Sequence, residues 1–440
     1  MIPVILLLLA AAKYGYQALV LAPFEIDQEF LAMEAWKFLK EGNPTLVGAH
    51  TSAGNIYIGP GYTYLVTAVM GLLRLNPGSI NLLSAMWATL SVISLYFIGT
   101  KLFSRAVGTI AALSAVISIN YLNLAQVPPL VIPLSLVALL TFYCLSQIGR
   151  QRHAFLLAII LAGIGLHLHF TGLYLLAFII LWVVTNRLKI SLIDWLKAAG
   201  ILLVLFSPLI LFDLRHNFLN SRNFITFLLT TSSLKVILGT LGRSVILALS
   251  NLGALINNFQ AYNLLVGSLA LIGWLIFFRH KLLITWLVFP LIINGLYTGG
   301  LLPYYYMFHQ AQIFLVLGLL IKPITRSYLG CTAVTTLALL FMLLNLKYHS
   351  SLTSGFSLNQ KTAAFEFIKT HAGTTDVNLS FTVEHARRGG LDFLRNYYGF
   401  DTELRLDRPT YTIVIPHGWE SIKADKTFGD IDVVLPKTQL

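Results

Sequence analysis

The chain has 440 residues, of which 57% are hydrophobic and 11% charged, a composition that excludes a soluble multidomain protein and indicates a membrane one. Its net charge of +12 lies wholly in residues 1–345, which carry 19 Lys and Arg against 7 Asp and Glu, whereas residues 346–440 carry 11 of each. A basic excess among membrane spans marks cytoplasmic loops, so nucleic-acid partners are set aside.

In chain order, eleven apolar runs are long enough for a bilayer core, which takes about 17–25 residues. They fall near residues 1–21, 80–100, 106–123, 130–148, 154–168, 171–186, 198–213, 261–278, 282–298, 306–321 and 328–346. With the N-terminus inside, Lys101, Arg105, Arg150, Arg152, Arg187, Lys189, Lys197, Arg279, Lys281, Lys322 and Arg326 all fall on the cytoplasmic side, where short loops retain cations. The odd number of spans then puts residues 346–440 outside. The stretch GPGYTYLVTAVMGLLRL, residues 59–75, is apolar too, but as a helix it reaches about 25 Å against a core of about 30 Å. Counting it as a span would also turn the cationic loops outward, so it is expected to lie at the outer interface. The first run lacks a basic leader and a small-residue cleavage site and reads as a retained anchor. Lys13, inside it, is expected to snorkel outward. Cys144 and Cys331 lie in apolar runs and give neither a disulfide framework nor a metal spacing.

The fold class expected is a polytopic α-helical membrane protein of about eleven transmembrane helices. Its membrane domain covers 1–345, with juxtamembrane helices in the outer loop 24–79, and a small outer α/β domain covers 346–440. Residues 217–260 read as two interfacial helices. In the tail, residues 359–371 have helical spacing, while VNLSFTV, TYTIVIP and IDVVLP read as strands. RRGGLDFLRNYYGF, residues 387–400, reads as a solvated helix.

The acids are the most informative residues. Five of the seven before residue 346 crowd directly after the first run: Glu25, Asp27, Glu29, Glu34 and Glu41. One alternative is a solvated amphipathic helix, which suits Glu34 and Glu41. Asp27 sits at the loop-to-helix junction, where an N-cap is the structural alternative to a chemical role.

The order of first span, Asp27, a helix ending at Gly42, the stretch TLVGAHTSAGNIYIGPGYTYL and a second span closed by TKLFSRAVG resembles the glycosyltransferases of the GT-C fold. More narrowly, it is similar to their bacterial family 39 branch, related to protein O-mannosyltransferases and aminoarabinose transferases. In that branch an Asp opens the first outer loop, a Gly follows about fifteen positions later, and Gly-Pro or Pro-Pro starts a juxtamembrane helix; Asp27, Gly42 and Gly59-Pro60 match. Many members read Asp-Glu at the first position, where this chain has Asp27-Gln28. The resemblance implies inverting transfer of a sugar from a polyprenyl-phosphate carrier to a lipid, glycan or protein acceptor at the outer face of a bacterial inner membrane.

Under that expectation Asp27 is the catalytic base. A hydroxyl needs a carboxylate to take its proton, whereas a phosphate leaving group needs cations and hydrogen-bond donors instead. Arg215, with a planar fork suited to phosphate, leads the donor-binding candidates, followed by His216, His169, Tyr304, Tyr305 and Lys13. Arg215 can equally pair with Asp213 or a lipid headgroup, and Tyr304, Tyr305, Tyr306 and His309 can equally form an interfacial aromatic belt. No cofactor is fixed by the sequence; a divalent cation held by Asp27 with His167 or His169 is the metal alternative. Two other functions fit the spans: a flippase for lipid-linked sugars, and a non-catalytic glycan or lipid receptor. The topology is testable alone. Single cysteines replacing Ser52 and Ser354, without the native pair, are expected to label with an impermeant maleimide in intact cells, and labelling at only one would break the parity argument.

Overall fold

A bilayer offers the backbone no hydrogen-bond partners, so apolar segments there close their own bonds as helices. The computed structural model describes every residue except 52–54, 125–128, 230–233, 257–259, 278–279, 298–301, 352–356, 385–386, 420–421 and 437–440. Positions 52 and 354 and Arg279 thus lie outside the described residues. The helices are α1 (Ile2–Val20), α2 (Ile26–Glu41), α3 (Gly61–Leu72), α4 (Gly78–Leu102), α5 (Arg105–Ile117), α6 (Ile119–Leu124), α7 (Val131–Gln147), α8 (Ala154–Leu168), α9 (Leu173–Thr185), α10 (Leu192–Leu205), α11 (Ser207–Arg215), α12 (Leu219–Leu229), α13 (Leu234–Ile256), α14 (Asn263–Phe277), α15 (Lys281–Leu296), α16 (Met307–Ile321), α17 (Tyr328–Ser351), α18 (Leu358–Ala372) and α19 (Leu391–Tyr398).

The expected spans coincide with helices, the third falling on α5 and α6 and the seventh being split into α10 and α11 by a 60° bend with proline in the first turn of α11. Among the described residues, α1, α4, α13 over Gly239–Ile256, and the segment Tyr304–Ile321 are long and apolar enough to cross a membrane; the remainder are shorter apolar helices. α3 is 12 residues long, consistent with its exclusion from the spans. α13 differs from the interfacial expectation by meeting that criterion. It packs along α15, with Thr240 donating to the Gly295 carbonyl at 2.6 Å and Ser244 to that of Leu291 at 2.9 Å.

α16 is the central helix: every residue from Met307 to Leu319 is buried. Small residues let its neighbours close in, as membrane helix packing requires. A Cβ on Gly99 of α4 would stand 2.7 Å from the Gly108 Cα of α5. The bundle has two distinct ends. At one, the cationic loops gather, with Lys281 on Asn186 at 2.8 Å and His280 against Phe103. At the other lie α2, α3 and α12, where Asn220 of α12 accepts the Tyr57 N–H at 2.7 Å.

Beyond α17 the apolar pattern switches to alternation and a four-stranded sheet forms in the order β1-β2-β4-β3. β1 (Asn378–Val383) runs parallel to β2 (Thr410–Ile415). β2 pairs antiparallel with β4 (Ile431–Val434), and β4 with the edge strand β3 (Lys426–Phe428). The three expected strands are present; β3, with three residues, is too short to show a periodicity. The expectation for RRGGLDFLRNYYGF needs correction. α19 is not a solvated helix, because Leu391, Phe393 and Leu394 are buried and Phe393 packs on Phe24 and Trp36 at ring distances of 5.7 and 6.1 Å.

Candidate active site

The site starts from the turn between α1 and α2. Glu25, not Asp27, is the N-cap of α2, in a capping box with Gln28, whose side-chain oxygen accepts the Glu25 N–H at 3.2 Å. Asp27 is therefore released from the capping role the sequence allowed it and stands in the first turn, where the helix dipole favours a carboxylate. At the far end Gly42 adopts φ +69°, a left-handed cap that suits glycine, so the Asp27–Gly42 spacing measures one helix.

Four of the five clustered acids have other tasks. Glu25 caps and lies within electrostatic reach of Lys361; Glu29 accepts the Phe393 N–H at 3.0 Å; Glu34 pairs with Lys37 at 2.7 Å; and Glu41 is exposed at the helix end. Among the described residues Asp27 makes no ion pair. Its side chain reaches solvent while protein crowds its other sides, and that desolvation raises its pKa above the ordinary aspartate value.

Within electrostatic reach of it lies an aromatic lip. Tyr304 is close enough for the Asp27 charge to act on its hydroxyl. It meets His169 at 5.7 Å and Tyr305 at 5.1 Å, and Tyr305 meets His169 at 5.9 Å. His169 closes α8, with Nδ1 accepting the Thr171 N–H at 3.2 Å. The structure thus brings Asp27, His169, Tyr304 and Tyr305 together. Tyr306 and His309 turn into the bundle, buried, with Tyr306 bonded to Ser244 at 2.7 Å.

His167 has a structural task. Its Nδ1 accepts the Gly61 N–H at 3.0 Å, satisfying an otherwise open donor at the start of α3. The ring lies so close that a Cβ on Gly59 or Gly61 would collide with it. The Gly59-Pro60-Gly61 run is explained by this contact. Among the described residues no three His, Cys, Asp or Glu gather as a metal set.

The cationic candidates separate as well. Lys13 donates to the Val116 and Ser118 carbonyls, tying α1 to the end of α5. Arg215 does not pair with Asp213, whose buried carboxylate instead accepts the Asn220 and Ser221 N–H groups at 2.7 and 3.0 Å, capping α12. Arg215 is exposed at the same end of the bundle as α2. His216 stacks on Phe212 at 4.1 Å, with Nδ1 at 2.8 Å from the Phe212 carbonyl.

Sequence reasoning missed Lys361, fully buried beneath the α2 turn. The signal was available: Leu358, Lys361, Phe365 and Ile368 form one helical stripe, so a cation occupied a core position.

Residues 58–212 match the family model described as dolichyl-phosphate-mannose-protein mannosyltransferase. The chain is similar to the crystal structure of ArnT from Cupriavidus metallidurans bound to undecaprenyl phosphate, with TM-score 0.56 and 13% identity over 99% of this chain and 98% of that one. It is likewise similar to the apo state of that protein, with TM-score 0.56 and 12% identity over 98% and 97%. No curated protein sequence matches. The Gly59 contact yields a prediction: Gly59→Ala should destabilise the folded protein by about 1–3 kcal/mol, the usual cost of overpacking, read as a lower melting temperature in detergent. An unchanged melting temperature would show that His167 can move aside.

Proposed function

We propose that this chain, a membrane glycosyltransferase of the GT-C fold and of the mannosyltransferase family that its residues 58–212 match, transfers a sugar from a polyprenyl-phosphate donor with Asp27 as catalytic base. The single observation that carries the proposal is the placing of the five acids: Glu25 caps α2, Glu29 accepts an N–H, Glu34 pairs with Lys37 and Glu41 lies at the far end of the helix, whereas the Asp27 charge acts on Tyr304 of the His169–Tyr304–Tyr305 lip.

In the reaction the acceptor hydroxyl oxygen attacks the anomeric carbon as the bond from that carbon to the phosphate oxygen breaks. The hydroxyl proton passes to the Asp27 carboxylate, the electron pair leaves with the phosphate, and configuration inverts. Desolvation raises the Asp27 carboxyl pKa, which makes it a stronger base than an ordinary aspartate. The leaving phosphate needs no acid, only donors and positive charge. Arg215 is assigned that task, with His216, His169, Tyr304 and Tyr305 as the polar groups nearest the transfer. Lys13, committed to two carbonyls, is the weaker candidate. The site end of the bundle faces outward, with the cationic end cytoplasmic and the C-terminal unit outside, in a bacterial inner membrane. The acceptor is a lipid, glycan or protein hydroxyl.

The test is reconstitution in liposomes with a radiolabelled polyprenyl-phosphate sugar and candidate acceptors. Sugar transfer supports the proposal; movement of the donor between leaflets without transfer would mark a flippase, and binding alone a receptor. Because the base must be ionised and its pKa is raised, activity should fall as pH drops through a value above the ordinary aspartate pKa of about 3.9. An acid limb at or below that value would contradict the assignment. Arg215→Lys keeps the charge but loses the planar fork, so it should be impaired, and Arg215→Ala more so. Wild-type rates for both would remove Arg215 from the site.

A further inference from the structure

The C-terminal unit touches the α2 turn through a group that is costly to place there. Lys361 is fully buried, and its ammonium donates to the Phe24 carbonyl at 2.8 Å and to the Gly389 carbonyl at 2.6 Å. Burial lowers its pKa to about 8, opposed by the charges of Glu25 and Glu29. A well-packed apolar side chain is often as stabilising as a buried charge, and the best-attested return for a buried charge is fixed register. Here the ammonium joins two segments far apart in sequence, the last residues before α2 and the 387–390 turn. Glycines bring those segments together: a Cβ on Gly389 would collide with Glu25 and Ile26, and one on Gly390 with Phe24. Gly390 also has φ +90°, a conformation that L side chains rarely adopt. Around the ammonium, Leu358 N–H bonds the Ala22 carbonyl at 3.1 Å and Glu29 accepts from Phe393.

We propose that Lys361 is a positioning residue for Asp27: it holds the Phe24 carbonyl and so fixes the first turn of the helix that carries the carboxylate. The C-terminal unit therefore serves the chemical step. The proposal deepens the reading of Asp27 as base and rests on it.

The experiment compares Lys361→Met with wild type and with Lys369→Met, a control on the exposed side of the same helix, each as full-length protein in liposomes. Transfer kinetics are read beside amide hydrogen exchange of residues 22–29. Lys361→Met is expected to lower kcat by about tenfold or more with donor KM within about twofold, the pattern of a lost transition-state interaction, and to speed exchange at 22–29. Lys369→Met is expected to match wild type. Unchanged kcat and exchange in Lys361→Met would overturn the proposal. So would loss of protection across the whole sheet with kcat and KM failing together, unless Gly389→Ala, which displaces the same turn and leaves Lys361 intact, reproduces the selective loss of kcat. Wild-type kinetics in Gly389→Ala would overturn the proposal in that case. An active Asp27→Asn would refute the base assignment instead, and the exchange data would still report whether Lys361 holds the turn.

Discussion

Four residues between α1 and α2 carry the constraint on which the site depends. Buried backbone groups must find partners, and here the partners come from three parts of the chain. The Ala22 carbonyl takes the Leu358 N–H, the Pro23 carbonyl the Asn81 amide at 3.3 Å, the Phe24 carbonyl the Lys361 ammonium, and the Glu25 N–H the Gln28 side chain. The turn is thereby held by the second span, the C-terminal unit and its own helix at once. Its direction sets where Asp27 points, and a displacement of about 1 Å at a reacting group can cost about a hundredfold in rate.

The opposite wall is fixed by a separate logic. α3 is only 12 residues long, and its start is docked by His167. Two residues later in α8, His169 is freed to join Tyr304 and Tyr305. One histidine docks α3 and the other joins the aromatic lip. On the third side, Asp213 spends its carboxylate on the α12 N-terminus, which leaves Arg215 uncompensated.

Much of this was legible in the sequence because membrane physics writes in long, redundant signals. Eleven apolar runs became helices, and the short 59–75 segment gave the 12-residue α3. The acid cluster stood out because carboxylates are scarce before residue 346. Contacts between distant segments were not legible. Nothing local shows that Asp213 serves α12 and not Arg215, or that the Gly389-Gly390 pair lies against Glu25 and Phe24. α19 was misread because its buried face is only three residues wide. Lys361 could have been found, since a cation in an apolar stripe asks for partners.

The most direct measurement is single-turnover sugar transfer by Asp27→Asn in proteoliposomes, with Glu34→Gln alongside. The substitution keeps the size of the side chain and removes only its charge and basicity. A loss of about two to four orders of magnitude, the usual scale for removing a general base, is the predicted result, with Glu34→Gln near wild type because that residue is bound to Lys37. A wild-type rate in Asp27→Asn would contradict the account.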